Sequence, residues 1–179
     1  MHTMKVLGAL LLNPPSTGGG RTLGHLHVAA DLLGCDHIEV ANLFSLPTRD
    51  VVEMNQVGKS VVGWEEARPR LGEVIEGADQ LLAGWGISGI TSESARYRKR
   101  QLCYIKTVAS AAGHDECWTL NGEARHPSRW HQYVSDRHGR VRGESFRSKL
   151  AQVLTLVSFD RLAGPSNMRM EIVGGSLPR

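Results

Sequence analysis

The chain has 179 residues, 41% of them hydrophobic and 22% charged, with a formal net charge of +3; this is the balance of a globular protein able to bury its own core as one α/β domain over residues 1–179. No stretch approaches the roughly 20 apolar residues that span a bilayer, so no membrane partner is expected. Cys35, Cys103 and Cys117 are far apart and form no CxxC pair, which argues against a zinc site or a disulfide framework and for a reducing, cytoplasmic setting.

Residues 5–12 (KVLGALLL) form an apolar run closed by Pro14 and Pro15, neither of which continues a ladder, and the spacing predicts a buried strand. After the glycine-rich stretch 16–20, Thr22 is placed to cap a helix with Leu23, Leu26, Ala30 and Leu33 on one face and Gly34 at its end. Residues 37–41 (HIEVA) predict a second strand ending at Asn42, and a helix between two buried strands predicts a parallel βαβ pair. Residues 45–77 read as an irregular connection, broken by Pro47 and Pro69, with a helix only over 65–76. Residues 80–85 (QLLAGW) predict a third strand, with Trp85 marking its end. Ser92 or Ser94 opens a helix stopped by Gly113, residues 116–120 (ECWTL) predict a fourth strand, and a last helix is expected over 144–157. The expected architecture is a three-layer α/β/α sandwich on a mostly parallel, four-stranded sheet.

In such folds ligands bind beyond the carboxyl ends of the strands, so four loops are expected to meet at one rim: those at Asn13-Pro14, Asn42-Leu43-Phe44, Gly84-Trp85-Gly86 and His126-Pro127-Ser128. Asn13 at a strand end can hold a water by its amide, or serve simply as a turn residue. Asn42 with a nearby Phe44 suits the reading of a base edge and the stacking of its face, although Asn42 also fits a strand cap and Phe44 the core. Proline holds His126 in an extended loop, where a neutral imidazole can donate to developing negative charge, although a single loop histidine also fits an ordinary surface position. The glycines at 18–20 match neither a P-loop nor a dinucleotide fingerprint. His25 and His27 stand i, i+2 on a helix and face apart, so neither a metal nor a cofactor is expected.

Charge is uneven. Residues 96–106 carry five basic side chains and no acid, and residues 125–149 carry seven against Asp136 and Glu144. Each run alone is an ordinary solvated face; two beside a candidate pocket favour a polyanion.

Taken in order, the loop motifs LLNPPS, NLF, WG and HPS resemble those of the uracil-DNA glycosylase superfamily, in an uncharacterised bacterial and phage branch. The resemblance implies a fold like that of the superfamily and a monofunctional DNA glycosylase, a monomer without metal, which flips a damaged or modified base from DNA and hydrolyses its N-glycosidic bond. It implies catalytic roles for Asn13, which positions the water, and His126, which stabilises the departing base. It further implies base contacts from Pro14, Pro15, Ser16, Asn42 and Phe44. Ser128, Arg129 and Trp130 would meet the duplex, the last two as a wedge; Arg125, Arg98 and Arg100, from the two basic runs, are expected on the phosphates. The chain departs from the superfamily pattern at Leu11, where a Gly is usual, and at Pro15, where a Gly or Tyr is usual. Small residues after Pro14 imply a pocket for a pyrimidine with a bulky 5-substituent, of the kind found in modified phage DNA. Two other classes stay open: a nucleic-acid-binding module without chemistry, and an enzyme of free nucleotides or nucleosides. Repair and antiviral defence are not separated by the sequence.

Overall fold

The computed structural model describes residues 3–87 and 89–163. β1 (Val6–Leu11), β2 (His37–Asn42), β3 (Gln80–Gly84), β4 (Glu116–Leu120) and β5 (Leu154–Ser158) form one sheet in the order β2-β1-β3-β4-β5. The first four are parallel, in a register that pairs Leu11 with both Asn42 and Gly84; β5 runs antiparallel to β4. The sheet is therefore five-stranded, one strand more than the sequence suggested. The fifth lies in the segment expected to be helical: α7 (Phe146–Val153) passes into β5 with no residue between them. Leu150, Val153, Leu154 and Val157 keep a helical spacing across that junction, and no Gly or Pro punctuates it. Only the β-branched Thr155 and Val157 favour a strand.

The period-2 alternation of β1 explains how it serves two cores. Leu7, Ala9 and Leu11 pack on one face with α1 (Gly20–Leu32) and α7, whereas Leu10 packs on the other among residues of β2, β3 and the helices α2 (Val51–Val57), α3 (Val62–Glu66), α4 (Arg68–Gly77) and α5 (Ser92–Ala111). The connection 45–77 holds the helix expected over 65–76, as α4, and two further short helices, α2 and α3, where an irregular chain was expected. α2 is capped by Asp50, which accepts from the Glu53 N–H at 2.9 Å, while the Glu53 carboxylate accepts from the N–H of Arg49, the residue before the cap, at 2.7 Å. Pro69 sits in the first turn of α4, as expected. α1 begins earlier than predicted, on Gly19 in the left-handed conformation instead of on Thr22, and α5 begins after Thr91. Among the described residues no helix is long and apolar enough to cross a membrane.

β2 and β3 flank β1 on opposite sides, so the chain reverses its direction of travel across the sheet at β1. The carboxyl ends of β1 and β3 are where such a reversal leaves a crevice.

Candidate active site

The four strand-end loops meet around two adjoining cavities. One, of about 320 Å³, has Leu11, Pro15, Gly19 and Asn42 among its walls. The other, of about 440 Å³, includes Asp50, Met54, Trp85, Arg125, Arg129 and Tyr133. Asn13, Thr48 and His126 line both. Asn13, Asn42, Trp85 and His126, one from each of the four expected loops, are thereby brought to one cleft, Asn42 on its smaller lobe and Trp85 on its larger.

Asn13 leaves the end of β1 with its side-chain orientation fixed. Nδ2 donates to the Pro14 carbonyl at 3.0 Å and to that of Thr48 at 3.4 Å, which leaves Oδ1 as the end that accepts a proton from a guest. A bridge between Pro15 and Thr48 ties this loop to the one after β2.

His126 is half-buried and its tautomer is set by its own loop. The Ser128 N–H donates to Nδ1 at 3.3 Å and the Ser128 hydroxyl lies 2.9 Å from the same atom. With Nδ1 an acceptor, the neutral ring carries its proton on Nε2. Burial, and secondarily the charge of Arg129, pushes the His126 pKa below the ordinary 6.5, so the neutral donor form dominates near pH 7. The loop is also held from outside. Nδ1 of His25, in α1, stands 2.6 Å from the Pro127 carbonyl and so must be the donor, and the His25 ring lies near-parallel to those of Phe146 and Trp130, with centroids 4.5 Å and 6.3 Å away. Gly84 permits close approach from below: a Cβ there would lie 2.9 Å from both Leu11 Cδ2 and Pro127 Cδ.

Asn42 ends β2 with Oδ1 buried and, among the described residues, without a hydrogen-bond partner. A buried acceptor left unmade costs about 1–3 kcal/mol, and Asn42 is a wall of the smaller cavity.

Two expected contacts are corrected. Phe44 is fully buried, its ring 5.0 Å from that of Trp64 and packed over Gly63; it belongs to the core and cannot stack on a base. Trp130 is fully buried as well, with its indole N–H donating to the Arg125 carbonyl at 2.8 Å, so it is no wedge. Its large apolar surface is taken by the α1 side of the core. Arg129, by contrast, is exposed at the rim. Arg98 turns inward onto the Gly86 carbonyl, while Arg100 is exposed, its guanidinium 5.8 Å from the centre of the Tyr97 ring. Arg125 pairs with Glu123 and lies 3.8 Å over the Tyr133 ring. Pro15 walls the smaller cavity; Pro14 and Ser16 wall neither. Thr48, Asp50 and Tyr133 escaped the sequence reading. The Asp50-x-x-Glu53 spacing was the available signal for the second of these.

A family model described as "Protein of unknown function (DUF1643)" matches residues 5–128, a span that runs from β1 through Ser128 and includes every wall named above except Arg129 and Tyr133. No curated protein and no solved structure matches the chain.

Proposed function

We propose that this chain, which belongs to the family described as "Protein of unknown function (DUF1643)", is a monofunctional DNA glycosylase acting on a flipped, modified pyrimidine. Breaking an N-glycosidic bond develops positive charge on the sugar and negative charge on the leaving base, so a catalyst holds water on one side and donates hydrogen bonds on the other. Asn13 Oδ1 orients the water. An amide cannot take the water's proton, but the Asp50 carboxylate in the same cleft can. The Nε2–H of neutral His126 donates to the exocyclic oxygen of the departing base. Asn42 Oδ1 accepts an N–H of the base edge, which supplies the hydrogen bond it lacks. No lysine is among the walls of either lobe, in keeping with hydrolysis by water rather than Schiff-base chemistry.

The observation that carries this reading is the pairing, in one cleft, of a buried acceptor unpaired among the described residues with an imidazole whose donor end its own loop has fixed. Pro15 and left-handed Gly19 on the wall of the smaller lobe support the narrower claim that the base bears a large 5-substituent. Arg129 at the rim and the basic runs support DNA as the partner.

Incubation with genomic DNAs of differing base modification, followed by mass spectrometry of released bases, tests both claims. A 5-modified pyrimidine should appear, and Asn13→Ala should lower its release roughly a hundredfold. Equal or faster release of uracil would remove the claim about size. DNA retarded in a gel but left without abasic sites would mark a binding module instead. Activity on free nucleosides with no salt dependence would mark the third class.

A further inference from the structure

A third cavity, of about 470 Å³, lies on the far side of the Trp85-Gly86-Ile87 segment, which walls both it and the larger lobe of the cleft. Its charged walls are Arg98 and Lys99 of α5, Arg161 of α8 (Phe159–Ala163), and Glu123. The acid is already engaged, because its carboxylate pairs with Arg125. Asp160, the acid beside Arg161, pairs with Lys106.

The cations are not balanced in the same way. Arg98 is largely withdrawn from water, its guanidinium donates to the Gly86 carbonyl, and its Nε is buried without a partner among the described residues. Burial lowers its pKa, and among the described residues no carboxylate pairs with it. A desolvated, unpaired guanidinium is costly unless an anion comes to it. Arg161 lies flat over Gly122, with NH2 at 3.3 Å and NH1 at 3.6 Å from where a Cβ would stand. Gly122 has φ of 79°, in the tight Asn121-Gly122 turn after β4, and its lack of a side chain leaves the guanidinium room in the cavity.

We propose that this cavity is a phosphate-binding site, in which Arg98 and Arg161 hold the oxygens of a phosphodiester or a phosphomonoester. Guanidinium forks match phosphate geometry. Arg98 also holds the segment shared with the cleft, so a phosphate bound here lies one loop away from Asn13 and His126. The site does not depend on the glycosylase reading: base release can fail with phosphate binding intact, and the reverse.

The full chain is titrated with inorganic phosphate against chloride at matched ionic strength, by calorimetry and thermal unfolding. Phosphate should raise the melting temperature, and Arg161→Gln, an exposed position, should weaken binding tenfold or more; Arg98→Gln gives a second reading, and Lys5→Gln, just before β1 at the opposite end of the sheet, serves as a remote control that binds as wild type does. Thymidine 5′-monophosphate and a single-stranded oligothymidylate identify the source. If Arg161→Gln weakens the oligonucleotide and phosphate competes with it, the group is a backbone phosphodiester; if it weakens only the mononucleotide, a free phosphomonoester. Phosphate binding no better than chloride, or binding retained by both arginine variants, overturns the proposal. Abasic-site formation by the same proteins is scored separately.

Discussion

Replacing Asn42 with leucine separates a recognition group from a structural one. Asn42 Oδ1 is buried and unpaired among the described residues at the end of β2, where its backbone is in register with Leu11 of β1. An apolar residue of similar shape keeps the strand and removes the unmet acceptor. Leaving such an acceptor unpaired costs about 1–3 kcal/mol, and its replacement by an apolar group is close to neutral or stabilising. For a chain of this size each 1 kcal/mol corresponds to roughly 2–4 °C in Tm. Asn42→Leu should therefore unfold at the wild-type temperature or a few degrees above it, by circular dichroism, while releasing base roughly a hundredfold more slowly. That combination is the mark of stability given up for function. A Tm lowered by several degrees with base release intact would refute the argument, since Asn42 would then be holding the fold.

The pH profile has a defined sign. His126 has its pKa lowered by burial and by Arg129, so activity should persist below pH 6.5 and fall only as pH drops through the depressed value. Arg129→Gln, measured over the same pH range, should move that acid limb upward. Because the folded pKa lies below the unfolded one, the stability tied to neutral His126 is complete above about pH 6.5 and is lost as pH falls from there through the folded pKa. Asp50→Asn preserves a good helix cap, so the Tm should hold while the rate of base release drops. Gly84→Ala should cost about 1–3 kcal/mol in a denaturant melt, the usual penalty of overpacking, and should slow base release more than an equally destabilised surface variant does, because Pro127 must shift and carry His126 with it. His25→Asn should keep a donor for the Pro127 carbonyl and restore most of the rate lost in His25→Ala; equal rates in the two would remove His25 as a positioning residue.

The parallel core of the sheet and the rim of loops were legible because apolar runs of strand length end abruptly in Asn, Gly or His-Pro. Asn13 and His126 could be placed at that rim from these signals, but each also fitted an ordinary turn or surface residue, and only the order of the loop motifs gave them roles. Aromatic residues beside the loops misled, since a chain position next to a site says nothing about which way a large ring turns: Phe44 and Trp130 both went where their apolar area is buried. β5 was hidden by a spacing shared between the end of a helix and the start of a strand. The Asp50 cap and the Asn121-Gly122 turn are present in the sequence as local signals. The pairing that sets the His126 tautomer, Ser128 onto Nδ1, is a three-dimensional fact, although the short His-Pro-Ser spacing makes it possible.

The central claim is that this cleft breaks an N-glycosidic bond. Incubating DNA that carries a 5-modified pyrimidine with wild type, Asn13→Ala and His126→Ala, then treating it with alkali, reads abasic sites as strand breaks. Wild type should produce breaks, and either variant roughly a hundredfold fewer. Breaks formed equally by all three proteins, or DNA left intact by wild type on every modified substrate, would contradict it.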